Sequence, residues 1–566
     1  MKDSHGQTDY DWDRLHRPKQ VTEPDSKTIS YQYDWNNNRT KMTDHFAGET
    51  FYEYNDRGLL DTLTDRNDGE TVYSYYDDGA LHTMTYPNGV VATYTYNERG
   101  WLETLNHMSG STLIAGFTYE YDPTDWGKNG TRTAMEESIL LPDGINRIQA
   151  RVDYAYDGLY RLTREYRQGD YDYDKSYAYD RNGNRGTMVD ASGTTYYHYD
   201  YASKLLDYGT SNTPGSPSNT NLTYDGAGNT ETITPPGQNP IVTTHTWDWN
   251  NMLTKVEEGT TTLAQFAYDG EGARISATFD TGPVGFLYDN DNVIEELGSQ
   301  ENLLAFYTIG SDGIMSRILP SSAPMYCHGD GLASIKAMTN GTPVVVTSAY
   351  SYDAWGNHLV AAGSAEYPCQ YVGRFGYYTH SQETDLNLLQ LGARYYHPEV
   401  GRFMSADPVG YSAGLNQYAY VGNNPVCFSD SSGLDRNQDE DGGTTICVPA
   451  GPCKVERWDT GRSGEGRYPG WPPWKLLELK APFLGPGPNI PVTTCHWEAW
   501  IGYGKQHAHC VRYPPSCLAL PVYFEKRIPC TIRHRLKSCT TEDWPGEDWW
   551  RKTFDRVPWL GGNSAF

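Results

Sequence analysis

No run of about 18 apolar residues occurs in the chain, so no segment has the composition of a membrane-spanning helix. Met1-Lys2-Asp3-Ser4-His5-Gly6 lacks the apolar stretch of a secretory signal. P-loop, His-Glu-x-x-His and Gly-x-Ser-x-Gly patterns are absent, which removes three common catalytic signatures. Capped runs with apolar residues at i, i+3 and i+4 are missing from the first half, so helix is not expected there. Hydrophobic residues make up only 37% of the chain, yet aromatics reach 13%. Disordered chains are poor in aromatics, so this balance favours a wide, thin-walled sheet.

What is present is a repeat. Tyr10-Asp11, Tyr33-Asp34, Tyr54-Asn55, Tyr76-Asp77, Tyr96-Asn97, Tyr121-Asp122 and Tyr156-Asp157 are followed by six more such pairs. These are Tyr179-Asp180, Tyr199-Asp200, Tyr224-Asp225, Trp247-Asp248, Tyr268-Asp269 and Tyr288-Asp289. The steps run from 20 to 25 residues, apart from one of 35. A period of this size means stacked supersecondary units. Within a unit, aromatics alternate at period two and then meet an acid with glycines, as in Phe266-Ala267-Tyr268-Asp269-Gly270-Glu271-Gly272. That pattern predicts a β-hairpin with its aromatics on one face, turning where Asx side chains and glycine permit. A lone hairpin cannot bury that face, so the units must stack and the tyrosines pack on one another. The first unit is under way by Tyr10 with no capping element before it, as in the C-terminal part of a longer protein or a truncated copy.

After Asp289 the clean repeat fades, returning at Tyr352-Asp353-Ala354-Trp355-Gly356-Asn357. It is followed by Leu391-Gly392-Ala393-Arg394-Tyr395-Tyr396-His397-Pro398-Glu399-Val400-Gly401-Arg402-Phe403 and Ser405-Ala406-Asp407-Pro408-Val409-Gly410. Leu415-Asn416-Gln417-Tyr418-Ala419-Tyr420 then leads to Ser429-Asp430-Ser431-Ser432-Gly433-Leu434. These residues resemble the RHS-repeat-associated core of the RHS/YD-repeat family, which includes bacterial polymorphic toxins, C components of insecticidal Tc toxins and, more remotely, teneurins.

The resemblance covers residues 8–434 and implies an all-β fold: YD-repeat hairpins in a spiralling hollow shell, with the core block plugging one end. Residues 8–300 would be repeats and 301–434 the core, followed by a small loop-rich domain at 435–566. In toxin members the core is an autoprotease that cuts after a terminal Asp-Pro-x-Gly-Leu, releasing a variable toxin held inside. Asp407 matches the family's Asp-Pro-x-Gly acid. Leu434 matches the leucine before the cut, which places the scissile bond at Leu434-Asp435. The reaction needs one carboxylate to activate water and another to protonate the leaving amide. No acid lies between Pro408 and Ser429, so Asp430 is the nearest partner in sequence, and Arg394 or Arg402 would hold one carboxylate ionised. The chain departs from the family at Ser431, where the motif has proline, and at Ala406, where some cleaving members carry arginine. The bland alternative makes Asp407 and Asp430 turn-forming residues of an intact core.

Composition changes at residue 434. Residues 435–566 hold 17 Lys+Arg against 15 Asp+Glu, whereas residues 1–434 hold 28 against 57. A slightly basic tail beside a strongly acidic shell suits mutual attraction. Nine of the 16 tryptophans and seven of the ten cysteines lie in the tail. Cys447, Cys453, Cys495, Cys510, Cys517, Cys530 and Cys539 suit a disulfide-stapled domain, the odd number leaving at least one unpaired. Cys495-His496 or His507-Ala508-His509-Cys510 leave zinc open, although neither spacing matches a standard finger. Basic residues around Arg533-His534-Arg535 suit phosphate contacts, and His507, His509 or His534 suits acid–base work in a metal-independent nuclease. A solvated basic strand is the plainer reading.

Two functions of different class follow. One is a secreted or cell-surface carrier that encloses and delivers its C-terminal effector, with Asp407 and Asp430 releasing it. Its partners would be its own tail, an immunity protein and a target-cell macromolecule such as nucleic acid; no cofactor or metal is called for. The other is a surface binding or adhesion protein built from the repeats, or an inactive truncated copy. Enzymatic activity is thus expected only from a self-cleaving core or a nuclease-like tail.

Overall fold

Thirty-two antiparallel strands, from β1 (Asp9–Trp12) to β32 (His358–Gly363), form one sheet that does not close. Every strand pairs with its neighbours in sequence, so the sheet is a continuous meander. The computed structural model describes residues 6–24, 26–122, 130–363, 367–412 and 414–434, and the backbone of 475–480, 493–502 and 531–541. Helix is confined, among the described residues, to four 3-10 turns of three residues each.

The Tyr-Asp pair builds each unit in two ways. The acid is a turn clamp: Asp34 Oδ1 accepts the amides of Asn36 and Asn38, both at 2.8 Å, and Asp180 repeats this at Asn182 and Asn184. Asn55 does the same for Arg57 and Leu59, which explains why Asn replaces Asp without disturbing the period. The tyrosine does more than pack. Its hydroxyl donates to a carbonyl of the preceding unit: Tyr54 to Arg39 O at 3.0 Å, Tyr179 to Leu162 O at 2.7 Å and Tyr268 to Leu253 O at 2.7 Å. Trp247 substitutes its indole Nε1, donating to Thr230 O at 2.8 Å. A register shift falls at the same residue in successive units, between Gln32 and Tyr33 and between Glu53 and Tyr54, and such bulges strengthen strand twist. The 35-residue step contains two long strands, Arg132–Leu140 and Arg147–Tyr156.

The twist brings the second layer of the sheet over the first. Tyr31 Oη donates to Asp289 at 3.0 Å, Tyr86 Oη to Cys327 O at 2.8 Å and Asn88 Nδ2 to Thr339 Oγ1 at 2.9 Å. Where the layers overlap, side chains of both fill the space between them: Tyr31, Leu63 and Tyr73 share a core with Ile294, Phe306 and Met315. Polar groups are buried there as well. Glu137 meets Arg167 at 2.7 Å and Lys336 at 3.2 Å, with Ser351 Oγ donating to it at 2.7 Å.

Residues 367–434 follow the last strand of the large sheet. Their ordered centre is a small sheet of β33 (Leu389–Leu391), β34 (Arg394–His397) and β35 (Arg402–Phe403). The chain divides into two units, Met1–Pro452 and Cys453–Phe566. In the second, β36 (Lys475–Lys480), β37 (Thr493–Gly502) and β38 (Thr531–Thr541) pair antiparallel in that order.

Candidate active site

The segment that ends at Leu434 folds against the hairpin of β33 and β34. Gly392 turns that hairpin at φ +48°, and a side chain there would meet Ser432 O at 2.3 Å. Gly433 sits at φ +68°, where a Cβ would lie 2.1 Å from Leu391 O. Only glycine permits both approaches. Ala393 N–H donates to Ser432 O at 2.9 Å, and Arg394 Nε donates to Gly433 O. The chain just before the expected cut is therefore held from two sides.

Arg394 brings the two aspartates together. Its Nη2 lies 2.8 Å from Asp407 Oδ2 and 3.3 Å from Asp430 Oδ2, with all three side chains buried. Both carboxylates thus share one guanidinium arm, while Nη1 donates to Gln417 O at 3.1 Å and Arg394 Cζ sits over the ring of Phe403, 3.6 Å from its centroid. The remaining carboxylate oxygens organise turns. Asp407 Oδ1 accepts Val409 N–H at 2.9 Å, and Asp430 Oδ1 accepts Ser432 Oγ and Leu434 N–H, each at 3.2 Å. Each aspartate thus contacts Arg394 through one oxygen and a turn through the other. Burial pushes the Asp430 carboxyl above the usual carboxylate range, against the pull of Arg394.

Asp430 keeps its turn without the family's proline. Its N–H donates to Tyr377 Oη at 2.6 Å, and Tyr377 Oη lies 2.9 Å from Tyr420 Oη. Tyr377 and Gln417 are site residues that the sequence did not single out: Tyr377 carries no signal beyond its type, and Gln417 acts through its backbone carbonyl. Arg402 is directed elsewhere. It donates to Asn184 Oδ1 at 3.1 Å, Ser203 O at 2.5 Å and Asn416 Oδ1 at 3.3 Å, and stacks on Tyr199. Of the two arginines, Arg394 and not Arg402 stands beside the carboxylates: the Arg402 guanidinium reaches two neutral acceptors on the repeat turns and the Asn416 amide, and does not face Asp407 or Asp430.

Asp435 lies outside the described residues, as do the side chain of His534 and residues 507–509. The backbone of His534 pairs with Ala499 on β37. Cys447, Cys453, Cys510, Cys517 and Cys530 are also outside, as are the side chains of Cys495 and Cys539. Cys327, Cys369 and Cys427 are buried and lie outside any disulfide among the described residues. Among the described residues no group of three or more His, Cys, Asp or Glu is placed to hold a metal ion, and no helix is long and apolar enough to cross a membrane.

A family model for the teneurin YD-shell matches residues 135–426, more than half of the chain, and an RHS repeat model matches residues 12–50. The chain belongs to the YD-shell family. Among curated relatives, the tRNA nuclease WapA of Bacillus subtilis is 31% identical over 267 residues, which is 45% of this chain and 11% of WapA. A probable deoxyribonuclease RhsA of Dickeya dadantii is 24% identical over 343 residues, 56% of this chain and 22% of RhsA. The matched stretch thus spans about a tenth of the length of the first curated relatives. The crystal structure of TcdB2-TccC3 superposes with a TM-score of 0.59 at 19% identity, over 76% of this chain and 24% of that one, and so shares the fold. This YD-shell chain is therefore homologous to toxins built on RHS repeats.

Proposed function

We propose that this YD-shell chain carries and delivers its own C-terminal segment, and that the core cuts the chain between Leu434 and Asp435. The observation that carries this reading is the shared Arg394 arm: two buried carboxylates converge beside a segment clamped immediately before the expected scissile bond. Asp407, in the shorter ion pair, takes the role of base toward a water. Asp430, whose carboxyl is raised by burial, takes the role of acid toward the leaving amide nitrogen. Arg394 fixes their separation, and Asp430 Oδ1 holds Leu434 N–H one bond sequence short of the cut. Water adds to the Leu434 carbonyl, the C–N bond breaks, and Asp435 leaves with a free amine.

The tail's target is proposed to be nucleic acid. Two relatives are named as nucleases, and the basic residues of β38 suit a phosphate backbone. An immunity protein and a secreted or cell-surface setting belong to the same reading. The purified chain should run as two fragments, with a new C-terminus at Leu434 by mass spectrometry, and Asp407→Asn should run as one. A wild-type chain that stays whole would reduce the core block to a plug.

A further inference from the structure

The carboxylate pair is tied to the repeats through one short peptide. Gln417 O accepts both Asp407 N–H, at 3.1 Å, and Arg394 Nη1, at 3.1 Å. Its two neighbours are bonded to the big sheet. Asn416 Nδ2 donates to Asn184 Oδ1 at 2.8 Å, and Tyr418 Oη donates to Gly228 O at 2.8 Å. Arg402 closes the arrangement, its fork spanning Asn184, Ser203 and Asn416. Asn184 is itself the last residue of one Tyr-Asp turn and donates to Ser203 Oγ of the next at 3.2 Å. Three consecutive repeat turns, at 180–184, 200–204 and 225–229, therefore set the position of the one carbonyl on which Asp407 and Arg394 both rest.

We infer that Arg402 is a positioning residue that makes the proposed cleavage conditional on the turns at 180–184 and 200–204 being folded and docked. The inference rests on the self-cleavage reading and adds its control. Arg402 is buried, and its three acceptors are neutral amides and a backbone carbonyl. Charge-assisted donation to them fixes direction through the planar fork, a geometry that lysine does not reproduce. Until the turns are in place the fork has nothing to grip, residues 416–418 are not held, and Arg394 and Asp407 lose their common acceptor. A chain with an unfinished sheet would then keep its tail attached.

The test uses the full chain and follows the rate at which it is cut after Leu434, by mass spectrometry. Arg402→Lys and Asn184→Ala should each slow cutting at least tenfold, and the two together should be no slower than the worse of them, since they break one link. Asn357→Ala, which removes a contact of another turn to Pro398 O, should cut at the wild-type rate although it also loosens sheet from core. Asp407→Asn serves as the control for the underlying reading. If Asp407→Asn abolishes cutting while Arg402→Lys and Asn184→Ala stay within twofold of wild type, the positioning role is overturned and the reading stands. If Asn357→Ala slows cutting as much as they do, the effect is general loosening and the inference also falls. A wild type that is not cut, or an Asp407→Asn chain that is, overturns both. Should Arg402→Lys misfold, Asn184→Ala alone decides, because it removes the acceptor from the sheet side.

Discussion

Glu295→Gln should make the folded sheet less sensitive to alkali. Glu295 lies on the strand Asn292–Leu297, is fully buried, and faces the first layer at Asp44 and Arg66. Its carboxyl is pushed up from 4.5 to about 8, first by burial and then by Asp44, with Arg66 and Lys27 opposing. Because the folded state holds the proton more tightly than the unfolded chain, stability is complete below pH 4.5 and is lost as pH rises toward 8. At about 1.36 kcal/mol for each pH unit between the two values, the loss is on the order of 5 kcal/mol. Glutamine binds no proton in either state and has no such dependence. Urea unfolding of both proteins, followed by tryptophan fluorescence, should give similar stabilities near pH 5. The gap in favour of Glu295→Gln should widen to pH 8 and then stay constant. Other raised carboxyls, such as Glu165 at about 7, are common to both chains and cancel in the difference. Parallel curves across this range would refute the account.

Gly433→Ala should lose about 1–3 kcal/mol of core stability, because a left-handed backbone and a clash with Leu391 O coincide there, and self-cleavage should stop; thermal melts and intact mass check both. Trp247→Phe removes the indole donor to Thr230 O and should cost about 1 kcal/mol in urea unfolding, a loss recovered in Trp247→Tyr. The tail expressed alone in bacteria should degrade nucleic acid, and His534→Ala should abolish this while the domain stays folded by circular dichroism; undamaged DNA and RNA with the wild-type tail would rule out a nuclease.

The repeat was legible because its signals are local. Turn chemistry at Asp34 or Asp269 and alternation in Phe266-Ala267-Tyr268 act within a few residues, and the structure builds the hairpins they predict. The tyrosine hydroxyl bonds were not legible, since the acceptor is a carbonyl and carbonyls have no identity in sequence. The meeting of Tyr31 with Asp289 depends on accumulated twist over hundreds of residues, which no local pattern records. At the candidate site, Asp407 came from motif resemblance, Asp430 from being the nearest acid in sequence and Arg394 as one of two arginines able to face a carboxylate, and the three side chains meet in the structure. Sequence left Arg394 and Arg402 as alternatives for the same reason that Tyr31 was unreadable: the partners of Arg402 at 184 and 203 are near in space alone.

A meander in which each strand bonds only to its predecessor and successor can be laid down in the order of synthesis. Each hairpin closes a loop of few residues, so its entropic cost is small and local. The contacts of Tyr31, Tyr86 and Asn88 with partners some 250 residues later demand the opposite. During translation, at about 5–20 residues per second, the first layer would wait on the order of ten seconds or more with its apolar face uncovered. That interval, rather than the finished protein, is when this sheet is most exposed to mispairing with its own copies, and the second layer ends it.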